Sequence, residues 1–276
     1  MITIELQGGL GNQMFQIFTL INYALENKCQ FLLPTEKKDK FSAGGSMRPT
    51  YWDSMFKELL GFTTNRGVRS KIFAEREFKY NKLPLFTSNI KLYGYFQSPK
   101  YFEQSYDKIC SLLNIKTKQL NILKTEFSKQ DSYVSLHFRI GDYKTPQHSH
   151  FHPIQTIDYY KNAITYIRER NDMPLNILYF CEEEDIDEVE NMISKLNDEF
   201  SECSFERGGK HLEDWQQMLM MSCCEHHIIA NSSFSWWGAY LNQSESKIVC
   251  YPEKWFNSEP HNAGTVDLFP EGWVKI

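Results

Sequence analysis

Short apolar runs with period-two alternation are separated along this chain by stretches of helical period, so the pattern predicts alternating strands and helices. Met1 to Leu6 reads as a strand, Gly8 to Gly11 as a turn, and Asn12 to Asn27 as a helix carrying Met14, Phe15, Phe18, Ile21, Tyr23 and Leu25. A second strand, Phe31 to Leu33, is closed by Pro34, and the stretch from Glu36 to about Asn89 is irregular, read as loops and short helices. Ile90 to Phe96 alternates again, and Tyr101 to Leu113 and Thr117 to Lys129 read as helices.

The same rhythm restarts after Asp131. Tyr133 to Phe138 predicts a strand, Gly141 to Pro153 a loop, Ile157 to Arg170 a helix, Leu175 to Cys181 a strand and Asp185 to Leu196 a helix. Ser204 to Arg207 is a short strand, Leu212 to Cys224 a helix, Ile228 and Ile229 the end of a buried strand, Trp236 to Leu241 a helix and Lys247 to Tyr251 a last strand. Repeated βα units imply an α/β fold with parallel sheets, helices on both faces, and ligands gathered at the carboxyl ends of the strands. A length of 276 residues favours two domains, and the reset of the pattern places them at 1–130 and 131–276.

Composition narrows the partners. The hydrophobic fraction of 41% and aromatic fraction of 15% describe a globular chain with a sizeable core. A net charge of -5 without a basic stripe argues against a nucleic-acid partner, while leaving room for a small anion held by a few arginines. Seven cysteines, odd in number and without CxxC spacing, read as reduced thiols of a cytoplasmic protein. Met1 leads straight into a strand, with no apolar segment of membrane-spanning length, so neither secretion nor a membrane anchor is expected.

Three motifs fall at predicted strand ends. Gly8-Gly9-Leu10-Gly11-Asn12-Gln13 joins the opening strand to its helix; glycines permit positive φ and close approach of backbone to ligand, and Asn12 and Gln13 offer donors and acceptors at the helix start. Taken alone, a plain tight turn explains it equally well. His137-Phe138-Arg139-Ile140-Gly141-Asp142-Tyr143 ends a strand on which His137 and Arg139 share a face. The planar guanidinium of Arg139 suits bidentate contact with a diphosphate; the rival reading is an Arg139–Asp142 pair that closes the loop. In Ala230-Asn231-Ser232-Ser233-Phe234-Ser235-Trp236-Trp237-Gly238-Ala239-Tyr240-Leu241, hydroxyls and backbone N–H groups gather at a helix N-terminus, a ready anion site.

Together, in this order and spacing, with Tyr93-Gly94-Tyr95-Phe96-Gln97-Ser98 as a further echo, these motifs resemble the α-1,2-fucosyltransferases of glycosyltransferase family 11. The resemblance implies a GT-B architecture of two facing Rossmann-like domains, 1–130 on the acceptor side and 131–276 on the donor side. It implies inverting transfer of L-fucose from GDP-fucose to a galactose-containing glycan, forming an α-1,2 linkage, with no metal or other cofactor. Carried over by position, Arg139 contacts the β-phosphate, Ser232, Ser233 and the following amides hold the pyrophosphate, and His137 and Asp142 line the guanosine side or brace the loop. Gly9 and Gly11 belong to the ligand-facing turn, Asn12 reaches toward the fucose, and Asp214 binds guanine, with Glu213 as its competitor. Asp142 is a candidate base, with a water relay as the alternative. The chain departs from the family at Ile140, where many members carry a second arginine. The class-level rivals are a noncatalytic nucleotide- or carbohydrate-binding protein and a transferase using another GDP-sugar.

Other features take structural readings. Asp185-Ile186-Asp187 looks like a metal-binding DxD but suits an acidic helix start better. His148, His150 and His152 alternate between Pro146 and Pro153, which favours a loop over a zinc site. His226-His227 is read as structural, as are Trp236 and Trp237, expected to anchor their helix. Tyr51, Trp52, Phe56 and Phe62 stand equally as acceptor-site aromatics and as loop anchors. Asn231, in one of two glycosylation sequons, is expected to be too central to carry a glycan.

Overall fold

The computed structural model describes residues 1–35, 49–127, 132–171 and 174–276. They form two compact units, Met1–Thr117 with Pro260–Pro270 and Lys118–Glu259 with Glu271–Ile276. The expected divide near Asp131 falls outside the described residues. The units part earlier because Gln119 bonds within the second unit, donating to Ser222 Oγ at 2.9 Å and to the Leu241 carbonyl at 3.2 Å. Pro260–Pro270 joins the first unit through Asp267, whose carboxylate accepts from the Tyr80 N–H at 3.0 Å and whose carbonyl accepts from Ser98 Oγ at 2.7 Å.

The first unit runs β1 (Ile2–Ile4), α1 (Leu10–Glu26), β2 (Phe31–Pro34), β3 (Thr63–Thr64), β4 (Lys71–Ala74), β5 (Ile90–Tyr93) and α2 (Tyr106–Leu112). Its sheet has the order β3-β2-β1-β5-β4, and every pairing is parallel. α1 starts two residues before the expected Asn12, so Asn12 lies inside its first turn. The helix is buried on nearly all sides, polar residues included, because Gln13 and Gln16 tie it to neighbouring loops. Gln16 accepts from the Gln7 N–H at 3.0 Å and donates to the Gly94 carbonyl at 2.9 Å, and Gln13 donates to the carbonyls of Gly8 and Pro49 at 3.0 and 2.8 Å. β5 stops three residues short of the expected Phe96, where Gly94 and Phe96 take positive φ. Glu75 holds that bend, its carboxylate accepting from the N–H groups of Tyr95 and Phe96. Tyr51, Trp52 and Phe56 are buried and pack on one another, and the Trp52 indole donates to the Thr35 carbonyl at 2.8 Å, so these three are loop anchors.

α3 (Ile115–Glu126) spans the divide. The second unit continues with β6 (Tyr133–His137), α4 (Ile157–Arg168), β7 (Asn176–Phe180), α5 (Ile186–Glu199), β8 (Ser204–Arg207), α6 (Asp214–Ser222), β9 (His226–Ile228), α7 (Ser233–Tyr240), β10 (Val249–Tyr251) and β11 (Val274–Lys275), while α8 (Glu259–Ala263) belongs to the first unit from Pro260 onward. The sheet order β11-β10-β9-β6-β7-β8, all parallel, is doubly wound about β6. Val134, Leu136, Ile164, Ile177 and Ile228 are among its core residues.

Two boundaries matter for the site. His226 and His227 lie inside β9 instead of before it; His227 bonds Ser135 Oγ at 2.8 Å and Asn242 Nδ2 at 2.9 Å, which fits the structural reading. α7 begins three residues before the expected Trp236, because Ser232, in extended conformation, caps it with a hydroxyl that accepts from the Phe234 N–H. Trp236 and Trp237 are fully buried, and Asn231 is 1% exposed.

Candidate active site

In a doubly wound sheet a crevice opens where successive strands leave in opposite directions, and ligands bind there at the carboxyl ends. In the second unit that point lies between β6 and β9. The end of β6 and the loop leaving it carry His137, Arg139 and Asp142, and the segment that follows β9 carries Ser232 and Ser233. The strand ends at His137, so Arg139 stands in the loop, one residue beyond Phe138, whose N–H still bonds the Phe180 carbonyl at 2.8 Å.

Arg139 is largely buried and held from two sides. Nη2 donates to Asp142 Oδ1 at 2.5 Å, Nη1 donates to Glu182, and the guanidinium lies 5.2 Å from the Tyr143 ring centroid. Burial works against its charge, but Tyr143, Glu182 and Asp142 together push its pKa above the ordinary arginine value. The loop-closing Arg139–Asp142 pair is therefore present, with Glu182 as a third member. Tyr143 carries the connection onward, its hydroxyl donating to the Asn231 carbonyl at 2.8 Å, next to the α7 cap.

His137 sits beneath this loop. Nδ1 bonds Ser235 Oγ at 3.0 Å, the Phe234 ring lies 5.6 Å away, and the His137 carbonyl accepts from the Tyr160 hydroxyl at 3.2 Å. Burial, aided by the Arg139 charge, pushes its pKa down to about 3, so the ring is neutral and braces α7 against β6. Helices with an acid in the first turn neutralise their own dipole, as α4, α5 and α6 do with Asp158, Asp187 and Asp214. α7, the helix at the switch point, has none. The Ser232 hydroxyl accepts from the Phe234 N–H at 3.3 Å and keeps its own proton to donate.

Asp214 and Glu213 open α6. Glu213 is the N-cap of a capping box with Gln216, and its carboxylate accepts from the Trp215 indole at 2.6 Å; Asp214 Oδ1 accepts from the Trp215 N–H at 2.7 Å. Both carboxylates are exposed. His152 stacks on Tyr143 at 4.4 Å, and burial first, then His148, pushes its pKa down to about 4. Among the described residues no group of three or more His, Cys, Asp or Glu side chains is arranged to hold a metal ion.

The first unit has its own switch point, between β1 and β5. Asn12 Oδ1 accepts from Gln97 Nε2 at 2.8 Å across it. Positive φ falls on Gly8, where a Cβ would lie 2.4 Å from Asn12 Nδ2. Gly9 is extended and Gly11 lies inside α1, so the freedom expected of those two is exercised at Gly8.

Compared with known proteins, the chain matches the model of glycosyl transferase family 11 over residues 1–276. It belongs to this family. The O-antigen biosynthesis glycosyltransferase WbnK of Escherichia coli is 28% identical over 98% of this chain and 99% of its own length. An alpha-1,2-colitosyltransferase of Escherichia coli is 27% identical, covering 100% of this chain and 98% of that protein. Galactoside alpha-(1,2)-fucosyltransferase 1 of Alouatta caraya is 22% identical over 87% of this chain and 64% of its own length. Among solved structures, a mutant of Arabidopsis thaliana FUT1 in complex with GDP gives a TM-score of 0.52 at 13% identity, covering 99% of this chain and 75% of that one. ADP-heptose LPS heptosyltransferase II of E. coli gives 0.50 at 9% identity, covering 100% and 89%. These likenesses are of fold, and they place this family 11 glycosyltransferase in the GT-B class.

Gln97, on Asn12, and Tyr143, beside Arg139, belong to the motifs but were given no role there, and Glu182, on Arg139, lies outside them. Glu182 was visible only as the start of an acidic run after a predicted strand. Its meaning depends on β7 lying beside β6, which sequence order alone does not tell.

Proposed function

We propose that this protein transfers L-fucose from GDP-fucose, with inversion, to a galactose hydroxyl of a glycan, forming an α-1,2 linkage. The observation that carries the reading is the meeting, at the second unit's switch point, of a largely buried arginine and a hydroxyl-capped helix start free of acids. A nucleotide-sugar diphosphate is the anion this suits. As the glycosidic bond breaks, negative charge builds on the β-phosphate, and a guanidinium fixed beforehand stabilises that charge without reorganising. Ser232, Ser233 and the α7 amides bind the same diphosphate.

In this reading Asp214 accepts from the guanine edge, while His137 braces α7. Asn12, its amide oriented by Gln97, serves the sugar, and Asp142 or a water relay takes the acceptor proton. No metal enters the step, since Arg139 and the helix start supply the positive charge. Names among the relatives support the chemistry: one is a galactoside α-(1,2)-fucosyltransferase and another an α-1,2-colitosyltransferase. The second name favours a rival donor, a colitosyl nucleotide, within the same mechanism. No helix among the described residues is long and apolar enough to cross a membrane, and we place the protein in the cytoplasm, where nucleotide sugars are available to it.

Donor competition tests this. GDP-fucose, GDP-mannose and the colitosyl donor are each supplied with a panel of galactose-terminated glycans in the presence of EDTA. GDP release and a fucosylated product are expected from the first; turnover of the colitosyl donor alone transfers the proposal to that sugar, and GDP binding without turnover on any acceptor favours a noncatalytic role.

A further inference from the structure

The acidic run after β7 is not accounted for by the diphosphate site itself. Its first and last members both turn toward the loop that bears Arg139. Glu182 accepts from Arg139 Nη1, while Asp185 Oδ2 accepts from the Gly141 N–H at 2.7 Å. The two acids are tied to each other by a turn in which the Asp185 N–H bonds the Glu182 carbonyl at 3.2 Å. A third observation is independent of both. A Cβ on Gly141 would stand 2.5 Å from Glu182 Oε2, so the absent side chain is what lets the carboxylate reach past the loop to Arg139. Asp142 holds the other terminal nitrogen, Nη2, at 2.5 Å. Of the five N–H donors of an arginine, carboxylates among the described residues therefore engage one on each Nη, which fixes the plane of the group and leaves other donors for phosphoryl oxygens.

We propose that Glu182, seated by Gly141 and assisted by Asp185, is a positioning residue that sets the guanidinium plane of Arg139 for the leaving diphosphate. This rests on the reading of Arg139 as the diphosphate ligand. Glu182 touches no substrate; it acts through Arg139. A displacement on the scale of an ångström in a transition-state contact lowers turnover by about 10- to 100-fold, whereas ground-state binding, spread over several contacts, is less sensitive. Loss of Glu182 is thus a kcat effect more than a KM effect. A simple counterion that competes with the donor gives the opposite sign, because its removal lowers the donor KM.

Steady-state kinetics with GDP-fucose, with GDP calorimetry and thermal unfolding as controls, decide the matter for Glu182→Ala, Glu182→Gln, Gly141→Ala and the Gly141→Ala/Glu182→Ala double variant. The expected result is a kcat lowered about tenfold or more in Glu182→Ala with donor KM within about threefold. Glu182→Gln, whose amide oxygen still accepts from Nη1, recovers part of the loss, and the double variant is no worse than Gly141→Ala alone, since both substitutions break one contact. Unchanged kcat in Glu182→Ala, a lowered donor KM, or additive losses in the double variant overturn the proposal. If Gly141→Ala does not fold, the comparison of Glu182→Ala with Glu182→Gln decides alone. Arg139→Ala separates the two levels: if it binds GDP and turns over like the wild type, the diphosphate reading itself fails. If it loses both while Glu182→Ala keeps wild-type kcat, only the positioning role fails.

Discussion

Arg139 was legible as a residue, and its environment only in part. Its type and place at a strand end pointed to an anion and, as a rival, to a pair with Asp142; the second carboxylate comes from Glu182, in the turn after β7, a strand that only the fold brings alongside β6. Arg139→Ala is expected to lower kcat by at least about 100-fold, the usual loss when one preorganised donor to a developing charge is removed; steady-state GDP release measures it. His137 makes a different prediction, because burial holds it neutral with a pKa pushed down to about 3. Below about pH 6.5 the unfolded chain takes up a proton that the folded one refuses, so the unfolded state binds more protons and stability falls as pH drops from about 6.5 toward 3. His227, buried and pushed down in the same direction, adds to this slope. Denaturant unfolding followed from pH 7 to 5 should show the loss, and His137→Gln should flatten the slope by about one proton; an unchanged slope contradicts a neutral buried His137.

Elements were legible in number and order more than in their ends. The βα alternation gave strands β1, β6 and β7 nearly in place, since their apolar runs face packed neighbours on both sides. The composition places the start of α7 three residues late: Ser233 to Ser235 look like loop, yet the hydroxyl cap at Ser232 makes them the first turn. Those three residues matter to the proposed diphosphate site, because they move the helix start onto the serines. Ser232→Ala should cost about 1 kcal/mol of stability through the lost cap and weaken GDP binding about tenfold through the lost donor to an anion, as measured by calorimetry. Gly238 tests the same helix from its packed side. A Cβ there would lie 2.9 Å from the Met221 Cβ on α6. Gly238→Ala should destabilise the protein by about 1–3 kcal/mol through overpacking; a neutral result by chemical denaturation means the two helices can part without strain.

At the scale of the molecule, the parallel α/β class and the presence of two units followed from the pattern, whereas the strand orders did not. Parallel strands far apart in sequence become neighbours only after helices have crossed the sheet, and nothing local records which pairs form. The orders explain why separate motifs belong together. The connections from the adjacent strands β6 and β9 run to opposite sides of the sheet at the second unit's switch point and present Arg139 and Ser232, just as those from β1 and β5 present Asn12 and Gln97 in the first unit. In the proposed reaction the second of these crevices holds the diphosphate of a GDP-sugar. A crystal structure of the protein soaked with GDP tests it most directly. Phosphate oxygens are expected within about 3 Å of the Arg139 guanidinium and of the Ser232 hydroxyl or the first amides of α7. A diphosphate bound away from the ends of β6 and β9, with Arg139 still enclosed by Asp142 and Glu182 and touching no phosphate, contradicts it.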